Sequence, residues 1–155
     1  MSVDINKLAQ ENFELVKKVL DDHDTTYNED NLLVSFWFNN KDTCDYCYII
    51  RVYPKQRLIS LRAIPDFEVN KDKIKSLAIA TSQLNHLYND GCFDFDIQDP
   101  CISFRLTTNY WDSILSEDVI TYLMNISLNA LEEECPVLEK INHGSLTIEE
   151  FLEKC

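Results

Sequence analysis

Two thiols two residues apart, Cys44-Asp-Tyr-Cys47, have the spacing used by zinc ribbons and by dithiol redox centres. Such a pair holds a metal when a second pair completes the ligand set, and it does redox work when it opens a helix, whose N-terminus stabilises a thiolate. Neither condition is met in the sequence. Cys92 and Cys101 border a different hairpin and offer no ligand-like spacing. Structural thiols are therefore the first expectation, and a small metal-binding or redox protein using Cys44 and Cys47 is the alternative. Asp94 and Asp96, with Asp99 nearby, suggest paired carboxylates for acid-base or metal chemistry. Arg105 gives a simpler use for them: a four-residue hairpin turn places it opposite Asp94 or Asp96, as one half of a cross-strand ion pair. His23, His86 and His143 have no nucleophile at a recognisable spacing. Asn125-Ile-Ser127 matches a glycosylation acceptor but falls inside a predicted buried helix. Only two glycines occur, Gly91 and Gly144, so a glycine-rich phosphate cradle is absent. The expectation is no catalytic residue, no metal ligand set and no cofactor.

The 155 residues fit one domain, 1–155, and 45% hydrophobic content supplies a core. Fourteen basic against 27 acidic side chains give a formal charge of −13. That charge repels nucleic-acid phosphates and anionic lipid surfaces, so neither is an expected partner. Residues 1–10 carry charge and no apolar run, and no stretch approaches the roughly 20 apolar residues of a membrane span. A cytoplasmic protein with its six cysteines reduced is expected.

Periodicity supplies the elements that carry these residues. Residues 3–20 repeat apolar side chains at helical spacing, from Ile5 and Leu8 through Phe13 and Val16 to Leu20, with Ser2 available as N-cap. The polar, acidic stretch 21–31 reads as a loop, without the glycine or the glutamate of a calcium loop. Strands are predicted at 32–38, 45–53 and 58–64, joined by short polar turns. The middle one is apolar on both faces, which predicts a helix or another chain over the second face. A helix over 72–88 follows, ended by Gly91.

From 91 to 106 two period-2 runs flank Asp99-Pro100: Phe93, Phe95, Ile97, Ile102, Phe104 and Leu106 share one face of a hairpin, with Asp94, Asp96, Ser103 and Arg105 on the other. A third helix is capped by Ser116 and runs to about residue 134, where Pro136 breaks it; 137–142 becomes a turn ended by Gly144. Val119, Leu123, Ile126 and Ala130 form its stripe, and Ile120, Met124, Leu128 and Leu131 widen the apolar arc beyond what one sheet covers. Thr147 and Glu150 form a capping box, with Leu146 and Phe151 as staple, for a final short helix. The predicted class is α+β, an antiparallel sheet with helices in the order α-β-β-β-α-β-β-α plus a short C-terminal helix.

Within that order, Leu84-Asn85, Gly91-Cys-Phe-Asp-Phe-Asp, Ile102-Ser-Phe-Arg105 and Leu115-Ser-Glu-Asp-Val-Ile120 resemble the YbjN-type family of candidate bacterial sensory-transduction regulators. That family is similar in fold to the class I type III secretion chaperones. The resemblance implies a chaperone-like fold and a binding role, and it carries over no active-site residue. Secretion chaperones are small, acidic, dimeric cytoplasmic proteins that hold an extended client segment against sheet and helix surfaces. The expectation is thus a non-enzymatic protein-binding module, chaperone-like or regulatory, with a protein partner or client. A homodimer is expected from the excess apolar arc, with Met124, Leu128, Trp37 and Tyr48 as candidate interface residues, because Trp and Tyr give large contact area at low entropic cost.

Overall fold

A computed structural model describes residues 4–155. Helix α1, Ile5–Asp22, starts where the Asp4 carboxylate accepts the amides of Asn6 and Lys7 at 3.0 and 3.2 Å. The cap expected at Ser2 lies outside the described residues. As the apolar spacing predicted, Leu8, Phe13, Val16 and Leu20 are buried. Asn12 shares their face and is equally buried; its amide donates to the carbonyls of Leu8 and Ser113 and accepts the amide of Leu115.

Six antiparallel strands follow: β1 Asn28–Asp30, β2 Leu33–Phe38, β3 Tyr46–Tyr53, β4 Leu58–Pro65, β5 Cys92–Asp96 and β6 Cys101–Asn109. The sheet order is β1-β2-β3-β4-β6-β5. β1 lies in the stretch expected to be all loop. Its three residues are exposed and polar and show no alternation, and the left-handed backbone of Asn31 (φ 52°) turns the chain directly into β2.

Helix α2, Ile74–Leu84, separates the β1–β4 meander from the β5–β6 hairpin and is shorter than the predicted helix. It gives way to a 3-10 turn at Asn85–Leu87. Asn85 there clasps the Phe93 main chain, accepting its amide at 2.6 Å and donating to its carbonyl at 3.0 Å. Gly91 does not end a helix but turns the chain into β5 at φ 80°, where a Cβ would stand 2.7 Å from the Phe104 ring.

One apolar row crosses the sheet through paired residues Val34, Ile50, Leu61 and Leu106. The helices pack on this face: α1 against β3, α2 against β5, and α3, Glu117–His143, against β4 and β6. The expected cover over the second face of β3 is not a helix. Cys47 and Ile49 are half-buried there by neighbours on the adjoining strands, Trp37 and Ile64 beside Cys47 and Arg62 beside Ile49.

Helix α3 departs most from expectation. It runs through Pro136 to His143 and ends at Gly144 (φ 77°). An internal proline costs roughly 3 kcal/mol. Beyond it, however, Leu138 and Ile141 are buried, and each such side chain returns about 1.5–3 kcal/mol. Asn142 adds a clamp, accepting the Asn70 amide and donating to the Glu68 carbonyl, both at 2.8 Å. Leu123 and Ala130 of the expected stripe are buried together with Ile120, Ser127 and Leu131, while Val119 and Ile126 stand at its margin. Ser116 occupies the cap position without a side-chain cap bond, and Glu117 pairs with Lys18 of α1. The capping box of Thr147 and Glu150 opens α4, Ile148–Leu152, as predicted.

Candidate functional site

Where β1 ends, the sheet loses its outer strand. The Val52 amide donates to the Leu32 carbonyl at 2.8 Å, so alternate residues Leu32, Val34, Phe36 and Phe38 direct their main chain toward β3. Leu33, Ser35 and Trp37 therefore face outward. β1 pairs Leu33 with Asp30 and Ser35 with Asn28, and goes no further. Opposite Trp37 the chain has already peeled away into the stretch 23–26, leaving the outward amide and carbonyl of Trp37 with no strand beside them.

The separation opens a groove of about 540 Å³. One wall is residues 23–26, which leave the C-terminal end of α1; Phe36, Phe38 and Tyr48 form the floor. Thr121, Met124, Asn125 and Leu128 of α3 form the other wall, and Trp37 stands at the rim. Tyr48, Met124 and Leu128 of the four candidate interface residues line this groove, whereas the Trp37 side chain, one residue out of phase with Phe36 and Phe38, stands on the other face beside Cys47 and reaches the rim through its main chain. Met124 and Leu128 are half-buried, as expected of the outer flank of the helix arc. Trp37 is 56% exposed and Phe38 38%, unusual openness for large aromatics on a strand. Tyr48 is firmly held, stacked on Phe36 with ring centroids 5.0 Å apart, and burial pushes its hydroxyl up to about 12.

The sequence did not single out Phe36, Phe38 or Asn125 as groove residues, nor the wall at 23–26. The alternation of β2 marks the two phenylalanines as inward-facing; the wall has no pattern, because it is defined only by where β1 stops. Chemically the groove offers aromatic and aliphatic surface, one free main-chain edge, and polar groups from Thr121, Asn125 and His23.

The other residues singled out by type are engaged elsewhere. Arg105 lies opposite Cys92 rather than opposite either aspartate, because the turn at 97–100 pairs Asp94 with Ser103 and Asp96 with Cys101. Its ion pair is diagonal: Nε donates to Asp94 Oδ2 at 2.6 Å and Nη2 to Oδ1 at 3.2 Å, and Arg62 stands 3.3 Å from the same carboxylate. Burial raises the Asp94 carboxyl, but the two guanidinium groups outweigh it and hold the group below its ordinary value. Asp96 caps the turn by accepting the amides of Gln98 and Asp99. Ile97, expected on the buried face, is in that turn and exposed.

Cys44 and Cys47 have different surroundings: Cys47 lies on the open face of β3, its thiol raised by burial, whereas Cys44 lies in the loop before that strand. Among the described residues, no three His, Cys, Asp or Glu side chains are grouped to hold a metal ion. No helix among them is long and apolar enough to cross a membrane.

No family model and no curated protein matches the sequence. Solved structures do match in shape. The crystal structure of YbjN from E. coli, a candidate transcription regulator, superposes with a TM-score of 0.63 at 17% identity, covering 84% of this chain and 92% of that one. ExsC as seen in the ExsC-ExsE complex gives 0.58 at 14% identity, covering 81% and 92%. This is the YbjN and ExsC fold. The α+β, chaperone-like architecture expected from the sequence is the one observed, and at these identities the likeness is one of fold.

Proposed function

We propose that this chain is a non-enzymatic protein-binding module of chaperone-like or regulatory type, and that the groove between the free end of β2 and α3 receives an extended segment of a protein partner. The observation that carries this reading is the outward main chain of Trp37 beside half-buried Met124 and Leu128. A segment laid along the edge adds main-chain hydrogen bonds to the sheet, and its alternate side chains reach the apolar floor. ExsC, of the same fold, has been solved with ExsE bound, which supports a protein as occupant. A second reading is favoured by the exposure of Trp37 and Phe38: a free edge with exposed aromatics also suits a second copy, giving the two-fold homodimer.

The test is affinity capture from the native cell, with the unaltered chain and a Met124→Glu, Leu128→Glu double variant as baits, alongside light scattering of both at micromolar concentration. A recurrent partner bound by the unaltered chain and lost by the variant supports the first reading. A dimer mass that the variant reduces to a monomer supports the second. Recovery of the same partner equally by both baits, with no change in mass, places the binding surface elsewhere.

A further inference from the structure

The groove has an uncharged floor and acids at its ends. On α3 the lining residues recur at helical spacing, Thr121, Asn125 and Leu128, and that spacing continues to Asp118 one turn earlier and Glu132 one turn later, both exposed. Asn40, next to the lining residue Asn39, donates from Nδ2 to Glu132 Oε1 at 3.2 Å and so sets this carboxylate beside the end of β2. The opposite wall leaves α1 through Asp22 and His23 to Asp24, which lines the groove and is exposed.

Little on the chain offsets this charge. Lys18 is already shared between Asp22 and Glu117, and Lys41 of the loop stands next to Asp42. Among the described residues, Asp24, Asp118 and Glu132 have no ion pair. Nor is the formal charge of −13 spread evenly. Arg51, Arg62 and Arg105, three of the four arginines, stand together on the open face of the sheet, away from the groove.

The strand register says how a guest would meet these groups. Continued past Asn28 opposite Ser35, the register of β1 would set Thr26 opposite Trp37, but the chain turns off that line. A guest strand on the same line exchanges main-chain bonds with Trp37, and the residue that does so points to the outer face. Its two neighbours, opposite Phe36 and Phe38, point onto the apolar floor. Residues further out pass beyond the floor and reach the acids. We propose that the segment received here is a short extended stretch, apolar at its inward positions and flanked by lysine or arginine. Since the groove is itself the proposed binding surface, this specificity rests on that reading and adds the chemistry of the partner. Basic flanks are drawn to the rim and held there, whereas acidic flanks are repelled.

The experiment measures, by fluorescence anisotropy with the full-length chain, the binding of two labelled synthetic peptides. Both have a short core of alternating valine and threonine, flanked at each end by lysine in one and by glutamate in the other. The lysine peptide should bind at least about tenfold more tightly at low salt, and the preference should largely vanish at about 1 M salt, where the screening length is about 3 Å. An Asp24→Asn, Glu132→Gln double variant should narrow the preference severalfold. Both sites are exposed, asparagine tolerates the left-handed backbone of residue 24 (φ 53°), and glutamine still accepts from Asn40. A Met124→Ser, Leu128→Ser variant, with its charge unchanged, should lose the lysine peptide. Equal binding of both peptides, lost in the serine variant, would leave the groove as the binding surface and overturn the basic flanks. Lysine-peptide binding undiminished in the serine variant would reveal diffuse attraction to an acidic chain and overturn the specificity. Binding of neither peptide would remove the groove reading and this specificity with it.

Discussion

Replacing Asn142 by leucine probes why α3 outlasts its proline. The substitution keeps the branched outline of asparagine, with bulkier methyl groups in place of the amide atoms, and removes two hydrogen bonds, one accepted from the Asn70 amide and one donated to the Glu68 carbonyl, each 2.8 Å long. The reciprocal bond from Asn70 Nδ2 to the Asn142 carbonyl, at 2.6 Å, survives only if the two segments stay in place. Each lost bond is worth about 0.5–1.5 kcal/mol. Asn142 itself is buried, but Glu68 and Asn70 are exposed residues, so water relieves part of the penalty on the groups left behind. The expected loss is therefore about 2 kcal/mol. In a chain of this length 1 kcal/mol moves the melting temperature by about 2–4 °C, which predicts a fall of roughly 4–8 °C. Calorimetry and urea unfolding would measure it, with an unchanged urea m-value showing that the same surface is exposed on unfolding. A shift smaller than about 1 °C would mean that burial of Leu138 and Ile141 alone holds the distal half of the helix.

Glu134 is buried in α3 and accepts the Tyr88 hydroxyl at 3.0 Å. Burial raises its carboxyl, so the folded chain binds that proton more tightly than the unfolded chain. Stability from this group is present below the ordinary glutamate value and falls as pH rises through the higher folded one. Glu134→Gln should keep the Tyr88 contact and flatten the decline in urea midpoint as pH rises above the ordinary glutamate range; an unchanged slope would refute the assignment. Arg105→Ala should cost at most about 1 kcal/mol in urea unfolding, because its side chain and that of Asp94 remain 37% and 30% exposed and Arg62 still faces the carboxylate. A loss several times larger would show that this sheet face is not open to water.

Patterns that depend on near neighbours were readable. The α1 stripe, the β5–β6 hairpin and the Thr147 capping box each rest on residues within a turn or two of one another, and each is where periodicity put it. Pro136 misled because its local cost is plain in the sequence, whereas the burial of Ile141 and the Asn142 clamp that offset it come from segments far away in the chain. Arg105 was expected opposite Asp94 or Asp96, and it pairs with Asp94 but diagonally, since register is fixed by the turn and long side chains reach across it. Trp37, Tyr48, Met124 and Leu128 could be named from residue type and helix arc. The groove that Tyr48, Met124 and Leu128 line could not be, because it depends on β1 stopping at Asn28, and the Trp37 side chain lies on the opposite face.

The sheet order has a consequence for how the chain folds during synthesis. The strands β2, β3 and β4 pair through neighbouring turns and can form early, with α1 already made and able to shield β3. The rest of their apolar face has no such protection. Leu61 has Ile50 beside it but lacks its second cross-strand partner until Leu106 has been made, and the face behind β4 stays uncovered until α3, the last long element, has emerged. A half-made chain therefore carries a wet apolar sheet for much of its translation, and this interval, more than the finished fold, is when it is most exposed to aggregation.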